Sequence, residues 1–521
     1  MAYDILIKSG SILDGTGNSI TFGDIGITGD HIEAIQPNGD GAARVTINAY
    51  GKFVTPGFID ITNHSDTHLT LFTNPNLESL LMQGITTIIG GNCGASLAPL
   101  ASKHAIGAIS KWADPTQANI NWTRMDEFLS TLDTFRPGVN FGTFVGYGTL
   151  RRGVIDDQIR ALTPEEREKI KLLLRDAMQE GAMGLSLGLV YGHERISSTE
   201  EIIEIARVLQ ETGGIIALHL RSEGSELLAS VNEAVRIGRD LRVPVHISHL
   251  KAVGRKSWGS LKKSLDLIDN ARNSGVDITF DVSPYNTTGS LLYLLIPSWA
   301  RQGGFKELFR RIDDREEHAK IIESIKNATL HYDRILITNA KTKTIVGHTL
   351  AEIAEEGGIS PEEALLSTIR ANEGRVTIRG RTISKQNTEL AIAHEHSLIA
   401  SDGAGYSQDA SQAGNLVHPR SFGAFPHFWH RFGSERPEHA ITKITSLPAS
   451  RLNLATRGTI KKGNFADITI FDPKLFRDRA THTNPFRYPS GMEWVLVNGA
   501  IAVENGQPLG TRAGRALRHN I

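Results

Sequence analysis

The chain of 521 residues has a single cysteine, Cys93, and almost no net charge. One cysteine cannot form a disulfide within the chain, which excludes a disulfide-rich secreted scaffold and fits a reducing compartment. A formal charge of −1 gives none of the basic excess that binds nucleic acid or anionic membranes. The sequence also lacks an apolar run of about 18 residues and the basic start and apolar stretch of a signal peptide. We therefore expect a globular, cytoplasmic protein that binds neither nucleic acid nor membrane.

The middle of the chain repeats a pattern of short apolar runs followed by amphipathic helical stretches. One helical stretch begins "TPEEREKIKLLL", with a Thr cap, a proline and acidic residues in its first turn, and is predicted to end at Gly181. Eight apolar runs with helical crossovers predict a (β/α)8 barrel. The runs are residues 57–66, 84–94, 138–148, 182–192, 213–223, 243–251, 276–285 and 396–403.

The two ends of the chain have a different pattern. Residues 1–56 and 456–521 consist of short strand-like segments separated by Gly, Asn and Asp turns. We predict that they join into one composite β-sandwich domain. Residues 57–455 then form the catalytic barrel beside it.

The predicted strand ends carry residue types that bind metal ions. Active sites of (β/α)8 barrels lie at the C-terminal ends of the strands, so these residues are expected to meet. They are His64 and Asp66 in the first run, Cys93 in the second, His219, Arg221 and Glu223 in the fifth, His249 and Lys251 in the sixth, Tyr285 in the seventh and Asp402 in the eighth. A thiolate, two imidazoles and a carboxylate suit Zn²⁺.

Each candidate also has an ordinary structural explanation when taken alone. A lone cysteine such as Cys93 is most often a small core side chain. His219 and His249 singly are more often satisfied core or rim histidines, and Asp402 within "SDG" is more often a turn residue. Their joint placement at the ends of predicted strands is what favours a metal site.

Several motifs resemble one family over nearly the whole chain and in the same order. "VTPGFID" followed by a His/Asp cluster resembles the first barrel strand of the amidohydrolase superfamily. Together with it, further motifs resemble the D-aminoacylases (N-acyl-D-amino-acid deacylases): "GGNCGASLAPL", "LHLRSEG", "ISHLKAVG", "IASDG" and "HPRSFGAFP". Many amidohydrolases place a carboxylated lysine between two metals, whereas this group has a cysteine there, so the resemblance implies that Cys93 is a metal ligand.

The resemblance also implies roles for the other candidates. Cys93, His219 and His249 would bind one tightly held zinc, and His64 matches the second histidine of the family's first-strand motif. Asp402 matches the catalytic carboxylate at the eighth strand. The substrate carboxylate would be held by Lys251 and Tyr285, joined by Tyr191. Residues 286–350 fall where the family carries an insertion, a predicted lid over the site.

One residue departs from the family pattern. The first strand of the family carries His-x-His-x-Asp, and here the matching stretch is "TNHSD", so Thr62 replaces the first histidine. A hydroxyl is a far poorer zinc ligand than an imidazole. We expect the enzyme to work with one metal ion, with a second weak site deprived of a ligand.

These features predict a zinc-dependent amidohydrolase that removes the acyl group from small N-acyl-D-amino acids, with Asp402 as general base and acid. The D preference comes from the resemblance alone. One alternative is a hydrolase of another linear or cyclic amide, of the hydantoinase or dihydropyrimidinase kind. The other is a non-catalytic relative, for which Thr62 is the only support. The sequence does not indicate the oligomeric state.

Overall fold

The computed structural model describes residues 3–36, 42–328 and 330–519. Residues 1–2, 37–41, 329 and 520–521, which belong to the predicted domain ranges, lie outside the described residues. The chain folds as a (β/α)8 barrel with a smaller β domain built from both chain ends. The predicted fold class is therefore confirmed.

Each of the eight predicted apolar runs contains one barrel strand. Neighbouring strands pair in parallel, and their residues are almost all buried because helices cover the outside of the barrel. The strands are Phe58–Asp60, Ile85–Gly90, Asn140–Thr143 with Val145–Gly146, Gly184–Gly188, Ile215–His219, Val245–Ile247, Ile278–Val282 and Ser397–Ile399.

The barrel closes between its first and last strands just beyond their C-terminal ends. Asn63 forms a parallel bridge with Gly403. The backbone N–H of Asp402 donates to the carbonyl of Thr62 at 3.0 Å, and that of His64 donates to Gly403 at 2.7 Å. These bonds fix His64 and Asp402 side by side at the mouth of the barrel.

One helix around the barrel begins at the capping residue that the sequence indicates. Pro164–Gln179 has Thr163 as N-cap, which accepts from the backbone N–H of Glu166, while the Glu166 side chain accepts from the N–H of Thr163. The other helices of this layer are Thr70–Thr73, Glu78–Leu81, Met125–Phe135, Tyr147–Ile155, Gly192–Arg195, Thr199–Ala206, Val208–Thr212, Leu227–Leu241, Ser260–Asn273, Lys385–Ala393, Arg420–Phe428, Pro437–Ile444 and Ser446–Arg451.

The two chain ends share one nine-stranded sheet. Its central strand Phe53–Pro56 pairs with Tyr3–Ile12 on one side and with Ile468–Phe471 on the other. The remaining strands are Thr21–Thr28, His31–Gln36, Ala43–Asn48, Met492–Val497, Ala500–Glu504 and Gln507–Pro508. Their inward-facing isoleucines form a core separate from that of the barrel. The domain limits at residues 56, 57, 455 and 456 stay predictions.

A third region lies between the seventh and eighth barrel strands. Three antiparallel strands, Thr288–Leu291, Thr377–Gly380 and Ile335–Asn339, pair in that order. The helices Gly304–Asp313, Arg315–Asn327, Leu350–Gly357 and Pro361–Ala371 accompany them. The strand Thr377–Gly380 lies past residue 350, the predicted end of the insertion. Its partner strands are distant in the sequence, so no local signal reveals that it pairs with them.

The inserted region and the barrel share a continuous hydrophobic contact. Cys93 and Tyr191 from the barrel belong to the same apolar cluster as Leu291, Leu292 and Tyr293 of the insertion. The insertion is therefore packed onto the strand ends that carry the candidate site. Among the described residues, no helix is both long and apolar enough to cross a lipid bilayer.

Candidate metal centre and active site

Three predicted metal ligands meet at the C-terminal end of the barrel. The Sγ of Cys93 lies 3.4 Å from Nδ1 of His219 and 3.4 Å from Nε2 of His249. All three ligand atoms lie within 4.8 Å of one another, and all three residues are buried. Within the described part of the chain, this is the one group of three such side chains close enough to share a metal ion.

The local backbone turns these side chains inward. His219 is the last residue of its strand, whereas Cys93 and His249 lie in the turns after theirs. Cys93, His249 and Asp402 all have positive φ, at 55°, 42° and 51°. Non-glycine residues rarely adopt this conformation, and such strained positions concentrate at functional sites. The turn at His249 is held by its backbone N–H, which donates to Asp281 at 2.9 Å.

The charges around Cys93 favour a thiolate. Burial by itself raises the pKa of the thiol, but His219 and His249 beside it outweigh burial and lower the pKa well below its ordinary value. A thiolate and two imidazoles are three ligands for a tetrahedral ion and leave its fourth position open. The residues present therefore fit a catalytic zinc.

Asp402 lies between a histidine and an arginine. Its Oδ1 is 3.1 Å from Nε2 of His64, and its Oδ2 accepts from Nη1 of Arg420 at 2.5 Å. Burial raises the pKa of Asp402, but Arg420, His249 and His64 outweigh burial and hold the pKa well below its usual range. The carboxylate is therefore ionised at neutral pH. His64 lies outside the three-ligand group, and its role as a ligand stays a prediction.

Glu223 connects the candidate ligands His219 and His249 to Lys251. Its Oε1 accepts from Nζ of Lys251 at 2.6 Å and lies 3.1 Å from Nδ1 of His249 and 3.8 Å from Nε2 of His219. Burial raises the pKa of Glu223, but Lys251 and His219 outweigh burial and lower it. The bond to Nδ1 of His249 directs the opposite nitrogen toward Cys93, which is how outer carboxylates orient metal-binding histidines.

Thr62 is part of a buried network behind the site. Its hydroxyl donates to Oδ2 of Asp281 at 2.6 Å, and the same oxygen lies 2.9 Å from Nε2 of His246. Thr62 is fully buried and does not line the cavity in front of the cluster. Asp66 likewise faces backbone, because its Oδ2 accepts from the N–H of Gly91 at 2.6 Å.

The predicted substrate-binding residues take different positions. Lys251 and Tyr191 line the main cavity, and Nζ of Lys111 lies 3.4 Å from the centre of the Tyr191 ring. Tyr285 lines a small adjoining cavity instead, and its hydroxyl donates to Asp478 at 3.3 Å. All three roles stay predictions.

The cavity in front of the cluster has a volume of about 990 Å³. Barrel loops form one wall, and the strands of the inserted region form the other. Lysine and arginine outnumber aspartate and glutamate among its lining residues by ten to four, although the chain as a whole has a charge of −1. The site therefore attracts anionic ligands.

Two interacting residues of the site were missed by sequence reasoning. In the sequence, Arg420 is only one residue of the motif "HPRSFGAFP", and Glu223 is only a residue at the end of a predicted strand. Their contacts with Asp402 and His249 depend on the fold and leave no local signal. The position of Glu223 four residues after His219, at the end of a barrel strand, is the one available hint.

Residues 45–503 match the model of the amidohydrolase family. The D-aminoacylase of Alcaligenes xylosoxydans xylosoxydans is 32% identical to this chain, over 99% of this chain and 97% of its own length. These matches cover the barrel, the inserted region and most of the β domain.

Solved structures show the same likeness. The N-acyl-D-glutamate deacylase of Bordetella bronchiseptica, complexed with zinc and a phosphonate inhibitor that mimics the tetrahedral intermediate, has a TM-score of 0.84 and 28% identity, covering 100% of both chains. A D-aminoacylase structure, described in terms of a binuclear metal centre with one-metal activation and second-metal attenuation, has a TM-score of 0.84 and 31% identity, covering 99% of this chain and 100% of that chain. A D-hydantoinase matches over 99% of both chains with a TM-score of 0.57 at 15% identity, a likeness of fold alone.

Proposed function

Because this chain belongs to the amidohydrolase family, and within it to the D-aminoacylase group, we propose that it is a zinc-dependent hydrolase of N-acyl-D-amino acids. The observation that carries the proposal is the placement of Asp402 beside the Cys93–His219–His249 group, at the base of a cavity that suits a small anionic substrate. An ionised carboxylate beside a metal-binding group is an arrangement that suits the hydrolysis of an unactivated amide by metal-activated water.

A zinc ion held by Cys93, His219 and His249 would polarise the acyl carbonyl and lower the pKa of a water molecule from about 15.7 to about 7. The ionised Asp402 is placed to accept the proton from the attacking water. It then donates that proton to the amide nitrogen, because an amine leaves only when protonated. Arg420 and His64 hold its two oxygens and orient it for both transfers.

Lys251 is the proposed anchor for the α-carboxylate of the substrate. Its ammonium lies 2.6 Å from Glu223 and lines the cavity beside the metal ligands. Tyr191 forms the adjacent wall, and Tyr285 supports the anchor from the smaller cavity behind it. A fixed carboxylate anchor and a single metal site select one enantiomer when a chiral pocket also receives the side chain, because two contacts alone fit both hands of the substrate.

We propose that one tightly bound zinc ion is sufficient. Thr62 stands where the family pattern has a histidine, and its hydroxyl is committed to Asp281. His64 is within 3.1 Å of Asp402 and is free to serve either as a further ligand or as the partner of that carboxylate. The one-metal activation described for a D-aminoacylase agrees with this stoichiometry.

The test is amine release from matched N-acetyl-D- and N-acetyl-L-amino acids by the zinc-loaded protein, with a hydantoin and a dihydropyrimidine in the same panel. We expect hydrolysis of the D forms alone. Hydrolysis of the hydantoin or the dihydropyrimidine, without hydrolysis of any linear N-acyl-D-amino acid, would favour the alternative that the enzyme acts on cyclic amides. Zinc-loaded protein that hydrolyses none of these compounds would refute the proposal.

Glu223→Gln is expected to weaken zinc binding about 10- to 100-fold, because it removes the charge that orients His249 while keeping the shape of the side chain. Competition with a chelator measures the affinity. Glu226→Gln is the matched control, since Glu226 lines the same cavity but its side chain is 65% exposed. Equal zinc affinity in the two variants would show that Glu223 does not orient His249 for zinc binding.

A further inference from the structure

Glu194 is a buried carboxylate that the proposed reaction does not use. The residue is 1% exposed and belongs to the short helix Gly192–Arg195, which follows the fourth barrel strand. A carboxylate loses its hydration when it is buried, so such a side chain is rare in a protein interior unless the structure holds it for a reason. The surroundings of Glu194 point to the turn that carries Cys93.

The carboxylate of Glu194 occupies a space that glycines leave open. A Cβ atom at Gly94 would overlap its oxygens, and a Cβ atom at Gly148 would lie 2.6 Å from its Oε1. Gly94 directly follows Cys93 and has a φ of 74°. Glu194 is not among the residues that line the main cavity. It therefore contacts the Cys93 turn from behind, on the side away from the substrate.

Gly188 connects Glu194 to Cys93 a second time. The backbone N–H of Gly188 donates to Oε2 of Glu194 at 2.6 Å. A Cβ atom at Gly188 would overlap the backbone carbonyl oxygen of Cys93, so the two backbones are in close contact. A displacement of the carboxylate would reach the backbone of Cys93 through both Gly94 and Gly188.

The helix that carries Glu194 is itself firmly attached to the barrel. The backbone N–H of Glu194 donates to the carbonyl of Tyr191 at 3.0 Å, and the N–H of Tyr191 donates to that of Gly188 at 2.9 Å. Arg195 and Arg221 each donate from Nη1 to the other's backbone carbonyl at 2.7 Å. Glu194 is therefore a fixed support rather than a freely moving side chain.

The turn at Cys93 requires support of this kind. Cys93 has a φ of 55°, a conformation that a non-glycine residue keeps only where the surrounding structure holds it. Ser186 holds one side of the turn, because its Oγ accepts from the backbone N–H of Gly94 at 3.1 Å. Glu194 packs against the same residue and supplies a second support.

We propose that Glu194 is a positioning residue that holds the Cys93 turn from behind, so that the thiolate faces His219 and His249 and binds zinc tightly. The length of the side chain is what matters, because the carboxylate has to extend as far as Gly188 and Gly94. The proposal rests on the proposed zinc site and does not depend on which amide the enzyme hydrolyses.

The test separates the length of the side chain from its charge. Glu194→Asp keeps the carboxylate but is one methylene shorter, whereas Glu194→Gln keeps the length and an oxygen that can accept from Gly188. Glu201→Asp is the matched control. The Glu201 side chain is 10% exposed, accepts from Tyr147 at 2.6 Å and from Arg151 at 2.8 Å, and lies outside the cavity lining.

Three quantities are measured for wild type and each variant. Competition with a chelator gives the zinc affinity. Absorption of the cobalt-substituted protein gives the thiolate-to-cobalt charge-transfer band, which reports on the bond between Cys93 and the metal. The thermal midpoint is measured on metal-free protein, because bound zinc would itself raise it.

We expect Glu194→Asp to weaken zinc binding about 10- to 100-fold and to reduce or shift the charge-transfer band, whereas Glu194→Gln and Glu201→Asp keep a zinc affinity within about threefold of wild type. A lower thermal midpoint of Glu194→Asp with unchanged zinc affinity and an unchanged band would overturn the proposal, since the role of Glu194 would then be structural only. An equal loss of zinc affinity in Glu194→Gln would also overturn it, because the charge would then be responsible.

The same protein distinguishes this proposal from the proposed function. The metal readouts need no substrate. Zinc-loaded wild type that hydrolyses none of the tested amides would refute the proposed function and leave the comparison of Glu194→Asp with Glu194→Gln valid.

Discussion

Cys93→Ala is expected to leave the protein folded but without tightly bound zinc, and to abolish hydrolysis of N-acyl-D-amino acids. The Sγ of Cys93 lies 3.4 Å from a nitrogen of each histidine, so alanine removes the one thiolate of a three-ligand group. Zinc content after extensive dialysis, measured by mass spectrometry, should fall from about one ion per chain to near zero. Circular dichroism should be unchanged, because alanine is smaller than cysteine and fits into the space that cysteine occupies.

His68→Ala is the control for Cys93→Ala. His68 lines the same cavity, and its ring lies 6.5 Å from that of His64, yet it is outside the three-ligand group. The His68→Ala protein should keep its tightly bound zinc. A Cys93→Ala protein that retains wild-type zinc would show that the metal is held elsewhere.

Asp402→Asn should lower kcat by about 10²- to 10⁴-fold while leaving the tightly bound zinc in place. Asparagine keeps the shape of the side chain but neither accepts the proton of the attacking water nor donates one to the leaving amine. The loss should appear in kcat more than in KM, because the proton transfers occur after the substrate binds. Steady-state kinetics on an N-acetyl-D-amino acid, with zinc content measured on the same sample, gives both quantities.

The matched control for Asp402→Asn is Asp114→Asn. Asp114 lines the outer part of the same cavity and caps a short helical turn, a position where asparagine serves equally well. Its kcat should stay near the wild-type value. If Asp402→Asn retained full kcat, another group would have to be the base.

The barrel, and the meeting of the candidate metal ligands at its mouth, could be predicted because their signals are local. Each strand is a short apolar run, and residue types that can bind a metal ion stand at the ends of Ile215–His219 and Val245–Ile247. The parallel barrel then brings residues such as Cys93 and His249 together, although they are 156 positions apart. Strand-end position is therefore enough to predict that these side chains meet, and their roles as ligands stay a prediction.

The outer contacts of the site could not be predicted for the opposite reason. The bond between Thr62 and Asp281 and the pairing of Arg420 with Asp402 both join segments whose relation is set by tertiary packing. The pairing of Thr377–Gly380 is hidden for the same reason, since this strand finds its partners about 40 and 90 residues earlier.

The sheet shared by the two chain ends affects how the protein is made. Thr55 pairs with Thr469, which follows it by 414 residues, so a ribosome adding about 5–20 residues per second needs roughly 20–80 s to supply the partner strand. During that time Phe53–Pro56 has an open edge, and unpaired strand edges promote aggregation. The nascent protein therefore depends on the barrel or a chaperone to protect its earliest strands, and a chain that stops before residue 468 keeps that edge exposed.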